Sequence, residues 1–346
     1  MRTLKFMQKI VLCALITGVV LAACTHDVPH EMPLVAEIIE AVPEVIRQVE
    51  PDETDEVWLD YFPVELFKSA TDDEDGYRND EQYHYEEEHE PYESEPTPVP
   101  TPEPTPRPVH LDNIGSLSND SLGWHFVRQE GGPPRGRETA SALRPFDAFF
   151  IGDTELPRVF LTFDSGYERG FTPSILDTLS YHNVHAAFFL TESYIRRNPE
   201  LVQRKIVEGH LIANHSVTHR NFPTLTDDEI AHELHATADR LYQLTGHTMS
   251  PFFRPPAGVY SRRVLALTQY HGYNTVFWSF AHRDWVQDEQ PPVEVTFQRV
   301  VGSLHNGMII LLHTNSESNT LALSGILEAI KEAGFEFASM YELLYL

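Results

Sequence analysis

The sequence has little cysteine, little basic charge and no apolar run of membrane-spanning length, and each shortage excludes a class of protein. Two cysteines occur among 346 residues, both before residue 25, so disulfides cannot hold the rest of the chain. The 25 lysines and arginines face 52 acidic residues and form no basic cluster, which excludes a nucleic-acid-binding protein. The apolar run over 10–23 is too short to span a bilayer comfortably.

The amino-terminal 24 residues have the pattern of an export signal. Three basic residues precede the apolar run 10–23, which ends in Leu-Ala-Ala-Cys24. Small residues before a cysteine resemble the bacterial lipobox, in which cleavage precedes the cysteine and its thiol is lipidated. We therefore predict a lipoprotein signal peptide over 1–24, a lipid anchor at Cys24 and a location on the outer side of the bacterial cell membrane. A plain signal peptide with an incidental cysteine, or an uncleaved anchor, remains the alternative.

Most of the net charge of −27 lies in the segment 25–108, which holds 25 acidic and four basic side chains. Low hydrophobicity combined with high charge predicts disorder. The alternating prolines of 96–108 predict an extended spacer of about 3.1 Å per residue. Such a linker would hold a folded catalytic or binding domain away from a membrane. A low-complexity linker whose length has no function predicts the same structure.

From residue 158 onward, strand and helix patterns alternate. The strand candidates are 159–164, 186–191, 211–215, 252–255, 275–280, 308–313 and 335–340. The helical candidates are 173–182, 199–209, 227–245, 261–270, 293–304 and 321–333. This alternation predicts a parallel α/β sheet over 158–346, open or closed, with the less regular preface 109–157 packed against it. The outer sides of the helices show no strong apolar stripe, so we expect a monomer.

Polar clusters follow the predicted strands, where α/β folds place their active sites. The first strand ends in Asp164-Ser-Gly, and the third in His215-Ser-Val-Thr-His219, whose two histidines can share one metal ion. Further along the chain come Arg254-Pro-Pro-Ala-Gly, Asp284-Trp and Leu-Leu-His313. Each cluster alone also fits a turn, a surface pair or a core histidine. Their repetition at strand ends favours one active site.

The ordered set Thr-Phe-Asp-x-Gly, His-Ser-x-x-His, Arg-Pro-Pro-x-Gly, Asp-Trp and Leu-x-His resembles the NodB-type polysaccharide deacetylases, carbohydrate esterase family 4. The resemblance covers about residues 158–343. It implies a deformed (β/α)7 barrel and a metal-dependent hydrolase that removes acetyl groups from sugars. Within the family, the motif Thr-Phe-Asp-x-Gly-Tyr-Glu-x-Gly-x-Thr-Pro is most similar to the peptidoglycan N-acetylmuramic acid deacetylases of the spore cortex, which implies a cell-wall substrate and a link to sporulation.

The resemblance also implies a role for each matching residue. Asp164 would be the catalytic base, held by Arg254, and His313 the general acid, tuned by Asp284. His215 and His219 would bind a divalent metal ion, which we predict to be zinc. The remaining assignments are the backbone N–H of Ala257 as oxyanion contact and Trp285, Leu311 and Tyr167 as walls of the substrate pocket.

Ser165 departs from the family, because most members carry a second aspartate there as the third metal ligand. A serine hydroxyl is a much poorer ligand for a divalent ion, so we predict at most a weak or water-mediated contact from Ser165. The departure leaves alternatives to a peptidoglycan deacetylase. These are an O-acetyl esterase or chitin-type deacetylase on another polysaccharide, and a catalytically impaired module that only binds glycan.

Overall fold

The computed structural model describes residues 111–129 and 132–346. The predicted signal peptide 1–24 with Cys24, and the linker 25–108, lie outside the described residues. The strands are β1 (Leu122–Gly123), β2 (Phe126–Gln129), β3 (Gly132–Gly136), β4 (Ala148–Phe149), β5 (Arg158–Ser165), β6 (Ala187–Leu190), β7 (Leu211–Asn214), β8 (Phe252–Phe253), β9 (Val259–Tyr260), β10 (Asn274–Val276), β11 (Met308–His313) and β12 (Glu336–Phe337).

The α-helices lie mostly between the strands of the sheet. They are α1 (Ala140–Leu143), α2 (Thr172–Tyr181), α3 (Glu192–Arg197), α4 (Pro199–Val207), α5 (Asp227–Thr245), α6 (Arg262–Tyr270), α7 (Val293–Val301) and α8 (Glu317–Glu332). Within 111–129 and 132–346, none of the helices is both long enough and apolar enough to cross a membrane.

Eight parallel strands form one curled sheet in the order β11-β5-β6-β7-β8-β10-β4, with β12 paired to the start of β5. The two ends of the sheet meet where Ile151, just after β4, forms an isolated bridge with Met308. At this seam Gly152 donates its N–H to the carbonyl of Gly307 at 2.7 Å, and a Cβ on Gly307 would lie 2.7 Å from the Gly152 carbonyl carbon. Only glycine allows this close approach. The curled sheet with surrounding helices confirms the predicted α/β barrel.

Side chains alternate between the two faces of the sheet, as the two-residue period of a strand requires. The inner face carries one apolar cluster, which includes Phe160, Phe189, Ala213, Phe277 and Leu311. The face toward the helices carries another, which includes Leu161, Phe163, Phe188, Ile212 and Leu312. Asp164 and His313 continue the inner series of β5 and β11. The core therefore ends, at the carboxyl edge of the sheet, in chemically active side chains.

Several elements differ from the sequence prediction; the strand predicted over 335–340, for example, is only Glu336–Phe337. The predicted strand 275–280 ends at Val276, because the chain leaves the ladder and returns only as an isolated bridge between Phe280 and Ile310. Helix α3 was not predicted. It begins where the Thr191 side chain accepts the N–H of Tyr194. The preface 109–157 contributes strand β4, which pairs in parallel with β10 at the edge of the sheet.

Candidate active site

The chemically active residues converge at the carboxyl edge of the sheet. Asp164 and His313 stand directly opposite each other in the register of β5 and β11. His215 follows β7, and Arg254 follows β8. The structure thus brings together four residues that are separated by up to 149 positions in the sequence. The alternation of the strands explains why they point to one side.

Asp164 is held by a buried arginine. Its Oδ1 accepts a hydrogen bond from Arg254 Nη1 at 2.7 Å, and Arg254 Nη2 donates to Thr162 Oγ1 at 2.9 Å. The guanidinium is 0% exposed and stacks 4.0 Å from the ring centroid of Phe189. Burial alone would raise the pKa of the Asp164 carboxyl, but the neighbouring positive charges, Arg254 first and then His313, together lower it below its ordinary value. Asp164 is therefore a carboxylate, as a general base must be.

The two histidines of the His-x-x-x-His motif are neutral, and the ring orientation of His215 is fixed by a hydrogen bond. His215 Nδ1 lies 2.8 Å from the carbonyl of Arg254 and must donate to it, which leaves a lone pair on Nε2. Burial lowers the pKa of both histidines, that of His219 to about 3, so neither ring is protonated at neutral pH. The ring centroids lie 4.9 Å apart. Ser216 and His219 hold left-handed backbone, with φ of 73° and 56°.

Glu233, a residue that the sequence did not single out, supports this strained loop. It lies on α5 and is 2% exposed. Its Oε2 accepts the N–H groups of Val217 and Thr218 at 2.8 and 2.9 Å, and its Oε1 accepts the hydroxyl of Thr218. One buried carboxylate therefore fixes the turn between the two histidines. The sequence signal was only that an acidic residue occurs at an otherwise apolar helical position.

The donor set fits a divalent ion in part. His215 Nε2 and Asp164 Oδ2 lie 3.5 Å apart. Both are acceptors, and a tetrahedral ion with bonds of about 2 Å separates its ligand atoms by roughly this distance. Within 111–129 and 132–346, however, no group of three His, Cys, Asp or Glu side chains is arranged to hold a metal. The spacing of His215 Nε2 and Asp164 Oδ2 is thus the one that fits two ligands of an ion. Metal binding by His215 and His219 together stays a prediction.

Ser165 belongs to the outward series of β5. It is fully buried, and its Oγ accepts a hydrogen bond from Thr314 Oγ1 at 3.0 Å. Its predicted role as a weak or water-mediated ligand stays a prediction.

Ser165→Asp tests this role. We expect the variant to bind divalent ions more tightly, because a carboxylate adds negative charge to the strand end that also carries Asp164. Calorimetric titration with zinc would measure the affinity, with His219→Ala as the control that removes a ligand. An affinity unchanged from the native chain would place residue 165 outside the coordination shell.

His313 forms a charge-coupled pair with Asp284. Its Nδ1 lies 2.7 Å from Asp284 Oδ1, and its backbone N–H donates to Asp284 Oδ2 at 2.9 Å. Burial alone would lower the pKa of His313, but the Asp284 carboxylate outweighs burial and raises it above the ordinary value. His313 is therefore suited to donate a proton at neutral pH.

Activity should consequently fall as pH rises through the raised pKa of His313, since the neutral ring cannot protonate a leaving group. Asp284→Asn removes the charge that raises this pKa, so the basic limb of the kcat profile should move to lower pH. The exposed Asp288, in the next turn, supplies the control variant Asp288→Asn. A basic limb that stays in place in Asp284→Asn would assign it to another group.

The remaining predicted site residues lie on β11 or in the loops that follow other strands. Ala257 lies in a turn with φ of 52°, and the two preceding prolines have no N–H, so Ala257 supplies the turn's first backbone donor. The Trp285 ring lies 5.4 Å from that of His313, and Leu311 is buried in the same strand as His313. Tyr167, in the loop after β5, is 62% exposed. Their roles as oxyanion contact and pocket walls stay predictions.

Comparison with known proteins decides the family. The family profile described as "Polysaccharide deacetylase" matches residues 151–276. The peptidoglycan-N-acetylmuramic acid deacetylase PdaA of Bacillus subtilis is 37% identical over 232 residues, which cover 66% of this chain and 88% of that protein. The chain belongs to the polysaccharide deacetylase family. It is a hydrolase of the type that acts on N-acetyl groups of glycans.

Solved structures agree with this placement of the deacetylase. The structure of Bacillus subtilis PdaA, a family 4 carbohydrate esterase, superimposes with a TM-score of 0.64 over 66% of this chain and 99% of that one. A family 4 carbohydrate esterase from Bacillus anthracis gives 0.55 at 34% identity, covering 66% and 98%. A peptidoglycan-N-acetylglucosamine deacetylase of Bacillus cereus is 34% identical over 54% of this chain and 87% of its own length. Enzymes of this family are generally metal-dependent.

Proposed function

We propose that this deacetylase removes acetyl groups from N-acetylmuramic acid in peptidoglycan, with a divalent ion bound at His215 and His219. One observation carries the chemistry: a carboxylate base, Asp164, faces a protonated histidine, His313, on the neighbouring strand, beside the histidine pair. Amide hydrolysis needs a base for water and an acid for the amine, and it needs them on opposite sides of one carbonyl. This arrangement meets both needs.

The residues of the chain divide the reaction between them. Asp164, kept ionised by Arg254, takes a proton from the attacking water. His313, kept protonated by Asp284, gives a proton to the nitrogen as the carbon–nitrogen bond breaks, so that acetate and a free amine result. The Ala257 N–H would face the negative charge that develops on the carbonyl oxygen. When bound, a divalent ion would polarise the acetyl carbonyl and acidify water.

Similarity to PdaA supports muramic acid as the sugar, and the Bacillus cereus relative shows that glucosamine is the competing choice within the family. The predicted export signal and Cys24 support a lipid-anchored enzyme outside the cytoplasm, where peptidoglycan lies. The long acidic and proline-rich linker would give it reach. We propose zinc as the ion and a monomer as the active form.

Acetate release from peptide-free peptidoglycan strands tests the proposal directly. The native chain would be assayed with and without a chelator, and with zinc restored. Mass spectrometry of digested strands would locate the lost acetyl group on muramic acid. Loss from glucosamine instead would overturn the choice of sugar, and release that a chelator leaves unchanged would overturn the metal. Glycan binding without any release would overturn the enzymatic assignment.

A further inference from the structure

The loop that carries Asp284 is fastened to the first turn of α8. Asn319, 1% exposed, donates from Nδ2 to Asp284 Oδ2 at 2.5 Å and to the carbonyl of His313 at 3.2 Å. A second tie runs through Gln290, whose Nε2 donates to the Asp284 carbonyl and whose Oε1 accepts the hydroxyl of Ser316. His313 and Asp284 are thus both held by hydrogen bonds at the amino-terminal end of α8.

The orientation of the Asn319 amide is determined by its partners. The Asp284 carboxylate and the His313 carbonyl can only accept, so the NH₂ group must face them. Asn319 Oδ1 then faces His282 Nε2 at 3.1 Å, and that nitrogen must donate. His282 is buried and its pKa is lowered by burial, which keeps it neutral and leaves its Nε2 proton available for this bond. A hydrogen-bonded chain therefore runs from His282 through Asn319 and Asp284 to His313.

We propose that Asn319 is a positioning residue for the proton transfer, with His282 as its own anchor. Asn319 binds Asp284 on the oxygen that also accepts the His313 N–H, while the other oxygen faces the His313 ring. Without Asn319, Asp284 would lose the side-chain donor that fixes its rotation, and the His313 ring would lose its fixed partner. The proposal rests on the proposed function, because it assigns His313 the role of acid.

Charged groups around His313 and Asp284 determine how strongly the His313 ring holds its proton, which is the property that Asn319 would influence. Asp284 and Asp164 stabilise the protonated His313 ring, while Arg254 opposes it. Asn319 adds no charge. It acts through the direction of the Asp284 carboxylate, so its loss should affect kcat more than KM and should alter the titration of His313.

Asn319→Ala and Asn319→Asp should separate this role from a merely structural one. We expect Asn319→Ala to lower kcat about a hundredfold, as misplaced catalytic groups do, with KM within about twofold. In Asn319→Asp the new carboxylate repels Asp284 at neutral pH, so kcat should fall similarly. As pH falls the new carboxyl gains a proton and can donate to Asp284 again, so the variant, unlike Asn319→Ala, should recover activity toward acid pH.

Ser318→Ala is the matched control, because Ser318 lies in the same buried turn but bonds to Thr296. NMR titration of the His313 ring supplies a readout that needs no substrate: its pKa should fall in Asn319→Ala and stay native in Ser318→Ala. His282→Ala, which removes only the anchor, should shift it in the same direction and serves if Asn319 variants do not fold. A native His313 titration in both Asn319→Ala and His282→Ala would overturn the proposal, even if the native chain releases no acetate. A shifted His313 titration in these variants, with no acetate release by the native chain, would support the positioning role of Asn319 and overturn the proposed function instead.

Discussion

Asp164→Asn should abolish acetate release while the protein remains folded. The asparagine keeps an oxygen that accepts from Arg254 Nη1, so the buried guanidinium retains a partner, but the amide cannot take a proton from water. General bases contribute roughly 10²–10⁴-fold to such reactions, and we expect at least the upper end here, because no other ionised carboxylate stands opposite His313 on the neighbouring strand. The measurement is kcat for acetate release, with circular dichroism as a check of folding.

Asp164→Ala should also lose activity, but it confounds chemistry with stability. Its removal leaves Arg254 charged and unpaired in a fully buried position, a defect that costs about 3–5 kcal/mol. Asp177→Asn, at an exposed ion pair with Arg204, is the matched control for Asp164→Asn. If Asp164→Asn retained more than a tenth of native activity, Asp164 would not be the base.

His313→Ala should lower amide hydrolysis by roughly 10²–10⁴-fold, because the amine leaves poorly without a proton. An acetyl ester has a better leaving group and needs less protonation, so the same variant should lose much less activity on an ester substrate. Comparing an N-acetylated glycan with an O-acetylated one in both proteins gives this difference as a ratio. The ratio also separates an amidase from the O-acetyl esterase alternative.

The exposed His232 on α5 provides the control variant His232→Ala, which should leave both activities unchanged. Equal losses on amide and ester would mean that His313 acts before the leaving group departs, for example by holding the substrate. That outcome would remove its assignment as general acid.

The active-site residues at the strand ends of this deacetylase were predictable from the sequence. The buried residues that hydrogen-bond to the active-site loops were not. Asp164, His215 and His313 each follow an apolar run, and parallel strands bring such ends to one edge whatever their order in the sheet. Glu233 and Asn319 lie in helices with no motif around them. Their roles depend on which helix start meets which loop, a matter of tertiary packing.

The lengths of the short strands also could not be predicted from the sequence. Residues 275–280 have strand-like composition, yet only Asn274–Val276 joins the ladder, because the sheet curls and the chain must cross toward β11. The place of Ser165 in the motif predicts a weak or water-mediated ligand. The alternation of β5 groups it with the outward residues, and only the register of the strand reveals its partner Thr314.

The fully buried Arg254 also bears on how the chain folds. Its charge is compensated by Asp164, 90 positions earlier in the sequence, and one of its supporting acceptors, Thr162, is itself bonded to Ile310 of the penultimate strand. A partly assembled sheet would therefore enclose a cation before its partners had arrived. We expect strand assembly and formation of the catalytic centre to be a single cooperative event, so that refolding chains regain activity and native fluorescence with the same rate constant.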